Sequence, residues 1–126
     1  MKYLIDPFRF HYFDFTGRAT RKQFWIFLAS MIVISFVIGM IDAFITFGFV
    51  TALKVGIMYS EPYLTTPFVL LACIPLMAIT TRRLHDANRN GLWQLLLLIP
   101  FLGWFILIAM LMTPSKAANK YGDVPA

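Results

Sequence analysis

Apolar residues in this chain come in long uninterrupted runs, without the three-and-four spacing of an amphipathic helix or the alternation of a half-buried strand. The first run, Phe24 to Ile41, holds no charge, and its 18 residues cover roughly 27 Å as a helix. The second goes from Tyr63 to Thr81. The third, Gly91 to Thr113, is 23 residues without a charge. Runs of this length match a hydrocarbon layer about 30 Å thick. They predict an all-α, multi-pass transmembrane bundle with three spans, over about 20–44, 63–82 and 91–113.

Local signals place the ends. Thr20 with Gln23 three residues later has the spacing of a capping box, which satisfies first-turn N–H groups, so the first helix is expected to start at Thr20. Thr66 before Pro67 reads as N-cap and first helical residue, and Asn90 as the N-cap of the third span. Pro75 and Pro100 fall inside the second and third spans. Each lacks an N–H and frees a carbonyl four residues back, at Leu71 and Leu96, so both predict kinks. The stretch from Asp42 to Pro62 carries only Lys54 and Glu61 as further charges. It either extends the first helix beyond the hydrocarbon or lies along the interface.

Composition sharpens this picture. Of 126 residues, 60% are hydrophobic and 13% charged, against roughly 25% charged in an ordinary soluble domain. A soluble globular enzyme is excluded, and no biochemical activity is named. The chain reads as one membrane domain: an interfacial segment 1–19, the bundle 20–113 and a tail 114–126. Asp6, Arg9, Asp14 and Arg18 interrupt any apolar core before the first span, so no cleavable signal peptide is expected. Phe8, Phe10, Tyr12, Phe13 and Phe15 would hold that segment along the lipid head groups.

The net charge of +5 suggests anionic lipid before nucleic acid, which would need a larger basic surface with stacking or base-reading groups in water. Orientation follows from Lys and Arg in the short flanks. Lys2, Arg9, Arg18, Arg21 and Lys22 precede the first span, and Arg82, Arg83 and Arg89 lie between the second and third. With three spans these groups share a side, expected to be cytoplasmic, while Lys54, Lys116 and Lys120 share the other. The tail is therefore expected to be exoplasmic.

Candidate chemistry concentrates on the positive side. Arg18, Arg21, Arg82, Arg83, His85, Asp86 and Arg89 converge where two helix N-termini also point, which is the physics of an anion site, with lipid phosphate as its natural occupant. The same charges also serve as a structural clasp: Arg82 and Arg83 complement a helix C-terminus, and Asp86 neutralises one of them. His85 beside Asp86 lacks the further ligands of a metal site, and Cys73 and two histidines spread along the chain make no metal set. No catalytic residue, cofactor or metal is expected. Asp42 lies about 33 Å along the first helix from Thr20, at the outer boundary. Ser35, Gly39 and Ala43 form a small-residue stripe for helix packing, within the chain or in a homo-oligomer.

Three segments together resemble a known family. Phe15 to Trp25 reads F-T-G-R-A-T-R-K-Q-F-W, Arg82 to Trp93 reads R-R-L-H-D-A-N-R-N-G-L-W, and Asn119 to Pro125 reads N-K-Y-G-D-V-P. In these motifs the chain resembles the domain of unknown function 805 (DUF805) family of small bacterial inner-membrane proteins. The motif positions are Gly17, Arg18, Arg21, Phe24 and Trp25; Arg82 to Asp86, Gly91 and Trp93; and Asn119, Tyr121 and Gly122. Asn90 stands where the family has serine, another N-cap. The resemblance implies a multi-pass inner-membrane protein with no established activity. From the charges, the expected role is a non-enzymatic accessory or interaction protein whose cytoplasmic clasp binds anionic lipid or a membrane-protein partner. A small transporter or channel is the alternative, with a lipid-modifying enzyme using His85 and Asp86 behind it.

Overall fold

The computed structural model describes residue 5 and residues 9–53 and 63–125, with the backbone alone for 49–53. Among these residues the chain is helical: α1 (Arg21–Leu53), α2 (Thr65–Asp86), a 3-10 helix (Gly91–Leu98) and α3 (Leu102–Met112), with one isolated bridge between Asn119 and Gly122. Lys2, Phe8, Lys54 and Glu61 lie outside the described residues.

The start of α1 follows its capping box in both directions. Thr20 Oγ1 accepts from Gln23 N at 3.1 Å, and Thr20 N donates to Gln23 Oε1 at 2.9 Å. The helix then runs without a break through Asp42 to Leu53, past the expected end at 44. At Asp42 it meets the start of α2. The Asp42 carboxylate accepts from Leu64 N (2.9 Å), Thr65 N (2.6 Å) and the Thr65 hydroxyl (2.6 Å). These N–H groups have no partner within their own helix, so α2 is capped from α1. Thr66 is accordingly not the N-cap; the helix opens at Thr65, with Leu64 before it.

From Arg21 to Asp42, and from Thr65 to Asp86, each helix covers about 32 Å, close to the thickness of the hydrocarbon layer. Both are long and apolar enough to cross a membrane, and only 17% of the apolar window in α1 is buried. In α2 the share is 44%; a soluble core helix would be buried on most sides, so the exposed apolar surface, of α1 above all, fits candidate membrane spans. α2 continues one turn beyond the expected end at 82. It closes at Asn88, whose φ of 57° puts it in the left-handed region. There Asn88 N donates to His85 O (2.9 Å) and Arg89 N to Leu84 O (2.8 Å), the bond pair of a Schellman cap. Arg82 to Asp86 thus belong to the last helical turn and not to a loop.

The third run is where the sequence reading fails. Gly91 to Thr113 is not one span but two short pieces folded against each other. The 3-10 helix has 8 residues and α3 has 11, so each reaches only about 16 Å, roughly half the hydrocarbon thickness. The reversal lies at 99–101. Phe101 has φ 60° and ψ −73°, and Leu102 N donates to Pro100 O at 2.8 Å, a γ-turn of the strained, positive-φ kind. Ile99 N donates to Leu96 O and Gly103 N to Ile99 O, while Trp104 Nε1 donates to Leu97 O, so the turn meets its own hydrogen-bonding needs, as lipid demands. Gly103 permits the close approach, since a Cβ there would collide with Leu96 O. Pro100 therefore marks a reversal instead of a kink. The hairpin leaves the polar end, where Gln94 bonds Thr81, and returns to the same end, where Leu111 O and Thr113 O meet Arg83.

Pro75 behaves as its chemistry requires. The Leu71 carbonyl that it frees accepts the Tyr12 hydroxyl at 2.6 Å, so from the polar end the segment before α1 reaches along α2 into the half nearer Thr65. Phe10, Phe13 and Phe15 on that segment are exposed. The buried apolar cluster, including Phe24, Phe27, Met31, Ile79, Leu84, Leu107 and Leu111, joins both spans to α3 in the half of the molecule nearest the polar end.

Candidate functional site at the polar end

At the polar end a buried carboxylate holds three parts of the chain together. Asp86 is fully buried. It accepts from Arg18 Nε (3.1 Å) and Nη2 (2.8 Å), from Arg83 Nη1 and from the Ser115 hydroxyl. Arg18 comes from the segment before α1, Arg83 from one turn back on α2, and Ser115 from the tail.

The two guanidinium groups also bind backbone. Arg18 Nη1 donates to Ala117 O (3.1 Å) and Gly122 O (3.0 Å), and Nη2 to Lys116 O, so its five N–H donors are all engaged. Arg83 is fully buried and donates to Leu111 O (3.1 Å) and Thr113 O, the carbonyls left over at the end of α3. Lys116 N donates to Asp86 O at 3.1 Å.

His85 completes the tail's seat. Its Nδ1–H donates to Gly17 O at 3.1 Å. Its ring stacks on Tyr121 with centroids 3.8 Å apart and planes at 5°, and Asn119 Nδ2 donates to His85 O. Gly17, at φ 72°, supplies the left-handed backbone that aims this carbonyl at His85 and Arg18 at Asp86. His85 and Asp86 thus face different partners.

These contacts fix the side of the tail. Residues 113–122 lie against Arg18, Arg83, His85 and Asp86, on the same face as the segment before α1. An exoplasmic tail opposite that segment is thereby corrected; the error follows from counting the hairpin as a span.

Arg82 differs from its neighbours. It is only 9% exposed, yet its Nε has no hydrogen-bond partner among the described residues. The nearest compensating charge is Asp14, which already accepts from Thr16 N and Oγ1 and pairs with His11 Nδ1 at 2.8 Å. Partial burial raises the Asp14 pKa, but these bonds and the Arg82 charge outweigh it and hold the carboxyl below its usual value. Arg21 is exposed and reaches Met112 O at 3.5 Å, and the half-buried Arg89 lies 5.7 Å over the Trp93 ring. Ser35 and Gly39 face α2: Ser35 lines a cleft with Val69 and Cys73, and a Cβ on Gly39 would be 3.9 Å from Thr65 Oγ1. Ala43 is exposed.

The match to known proteins covers this whole arrangement. The model of a family described as "Protein of unknown function (DUF805)" matches residues 12–123. The chain belongs to the DUF805 family. It is 38% identical over 116 residues to inner membrane protein YhaH of Escherichia coli strain K12, covering 91% of this chain and 89% of that protein. To inner membrane protein YhaI of the same strain it is 34% identical over 116 residues, covering 91% and 88%. No solved structure matches the chain. The matched region begins at Tyr12, which bonds to α2, and ends at Asp123, just past the clasped tail. Ser115, Asn119 and Tyr121 are the site residues that charge counting missed; the tail motif N-K-Y-G-D-V-P was the signal for the last two.

Proposed function

We propose that this protein is a non-enzymatic accessory protein of the bacterial inner membrane whose positive face is cytoplasmic and holds the phosphate of an anionic lipid at Arg82. The observation that carries this reading is the buried Arg82 guanidinium, whose Nε has no hydrogen-bond partner among the described residues. A buried cation lacking hydrogen bonds is costly, and a phosphate oxygen is a strong, geometrically matched acceptor for it. Arg18 and Arg83 are engaged by the chain itself, so they build the clasp and Arg82 binds the ligand.

Three further facts support the reading. The named relatives are inner membrane proteins. With the tail on the same face as Arg18, Lys116 and Lys120 join the positive side and leave Lys54 alone in the connection between the far ends of the spans, a strong positive-inside bias. The Asp86 carboxylate is filled by structural donors and turned away from His85, which supports a role without acid–base turnover.

The test is native mass spectrometry of the protein extracted in mild detergent, wild type beside Arg82→Gln. The expected result is anionic lipid retained by the wild type and reduced about fivefold or more in the variant, the loss of a charge-assisted hydrogen bond. Unchanged lipid content in a folded variant overturns the reading, and a protein partner lost in its place makes Arg82 a docking residue.

A further inference from the structure

A second feature of the polar end lies on a different face of α2 from Arg82. A groove of about 400 Å³ opens between α2 and the 3-10 helix, lined by Phe15, Met77, Thr81, His85, Gln94 and Leu95 among others. Its polar groups are unevenly used. Gln94 Nε2 donates to Thr81 Oγ1 at 2.6 Å, and Thr81 in turn donates to Met77 O. Gln94 Oε1 bonds to none of the described residues. His85, 8% exposed, donates through Nδ1 to a carbonyl that can only accept, so in the neutral ring Nε2 is an acceptor, with no partner among the described residues. Asn90 also lines the groove and uses its Oδ1 to cap Leu92 N, leaving its amide N–H₂. The groove thus offers two free acceptors and one donor, with His85 more than nine-tenths buried.

A ligand suited to this set brings hydroxyl donors. An ammonium headgroup also brings donors, but Arg83, Arg89 and Lys120 give this end a positive field that opposes it. An anionic headgroup with free hydroxyls suits both conditions. The apolar part has a place as well. Leu92 and Leu95 also line an adjoining groove of about 350 Å³ with Trp93, Leu96 and Ile99, a trough running along the hairpin into the membrane. We infer that this groove is a lipid site selective for a hydroxyl-bearing anionic headgroup, of the phosphatidylglycerol type, read by His85, Gln94 and Asn90 with an acyl chain along the hairpin. It is independent of the Arg82 site, which reads phosphate alone.

Full-length protein in detergent, titrated with short-chain phosphatidylglycerol, phosphatidic acid, phosphatidylcholine and free glycerol phosphate and read by native mass spectrometry, separates the two sites. The wild type is expected to bind phosphatidylglycerol about tenfold more tightly than phosphatidic acid, and free glycerol phosphate not at all. Gln94→Leu should abolish that preference. Leu95→Trp, at a residue 61% exposed and therefore safe for folding, should do the same by filling the groove. Arg82→Gln should remove the lipid bound at Arg82, whichever anionic lipid it is, and leave the phosphatidylglycerol bound in the groove and its preference unchanged. Equal binding of the two anionic lipids by the wild type, or a preference that survives Leu95→Trp, overturns the groove site and leaves the Arg82 reading standing. Binding of glycerol phosphate as tight as that of the lipid overturns the acyl-chain trough.

Discussion

Asp42 and Asp86 are both buried and stand at opposite ends of the helix pair, yet their carboxylates work in different ways. Asp42 binds only neutral donors: two backbone N–H groups and a hydroxyl at the start of α2, where the helix dipole balances its charge. Asp86 binds two guanidinium groups and a hydroxyl from three segments. The first is a clip between two neighbouring helices. The second closes a network in which the segment before α1, α2, the hairpin and the tail all depend on one residue. Breaking the clip should loosen one end, whereas breaking the network should release everything seated on it.

The largest expected effect is Asp86→Ala, which leaves two guanidinium groups buried without a counter-charge and should cost about 3–5 kcal/mol. Denaturant unfolding in detergent measures it, and limited trypsinolysis should show new cleavage at Lys116 or Lys120. A loss below about 1 kcal/mol would mean that the network is not held by its carboxylate. Next comes Gly103→Val. Its Cβ would meet backbone at Leu96 O, so the hairpin must open, at about 2–4 kcal/mol. Gly39→Ala, with 3.9 Å of room, serves as the near-neutral control.

Arg18→Lys keeps the charge but cannot reproduce five directed donors, and should lose about 1–2 kcal/mol with the tail released first. Asp42→Ala should lower the melting temperature by roughly 5 °C and leave the tryptic pattern of the tail unchanged. If it frees the tail, the two ends are coupled and the contrast between clip and network fails. The smallest effect belongs to Asp14. Its carboxyl sits below the ordinary 3.8, so its contribution is complete above that value and disappears as pH falls through the lowered one. Melting curves of Asp14→Asn should converge with the wild type only in that acid range.

Much of this was legible where a residue's partner lies close in sequence. Thr20 and Gln23 cap α1 as their spacing requires, Asn90 caps the 3-10 helix through its side chain, and the carbonyl freed by Pro75 proved to be a real vacancy, filled by Tyr12. The charged residues of the clasp were legible as a group because topology alone brings them to one end. What escaped depends on chain reversal and on distant partners. Hydropathy counts apolar residues and is blind to direction, so a hairpin of two half-depth pieces and a single span score alike. The reversal was written only in Pro100 and Gly103, one residue with no N–H to satisfy and one with no Cβ to clash. Once the hairpin is taken for a span, the tail goes to the wrong side, and Ser115, Asn119 and Tyr121 lose any connection to Asp86 and His85. The cap that Asp42 provides was hidden for the same reason, 22 residues separating it from Leu64.

The claim on which the account rests is that the tail returns to the face that carries Arg18. Single cysteines at Arg9→Cys and Ala118→Cys, in a Cys73→Ser background, can be tested with a membrane-impermeant thiol reagent before and after the cells are opened. The account predicts that both positions are protected in intact spheroplasts and that both label once the membrane is permeabilised. Labelling of Ala118→Cys from outside while Arg9→Cys stays protected would contradict it, restoring a third span and dissolving the clasp.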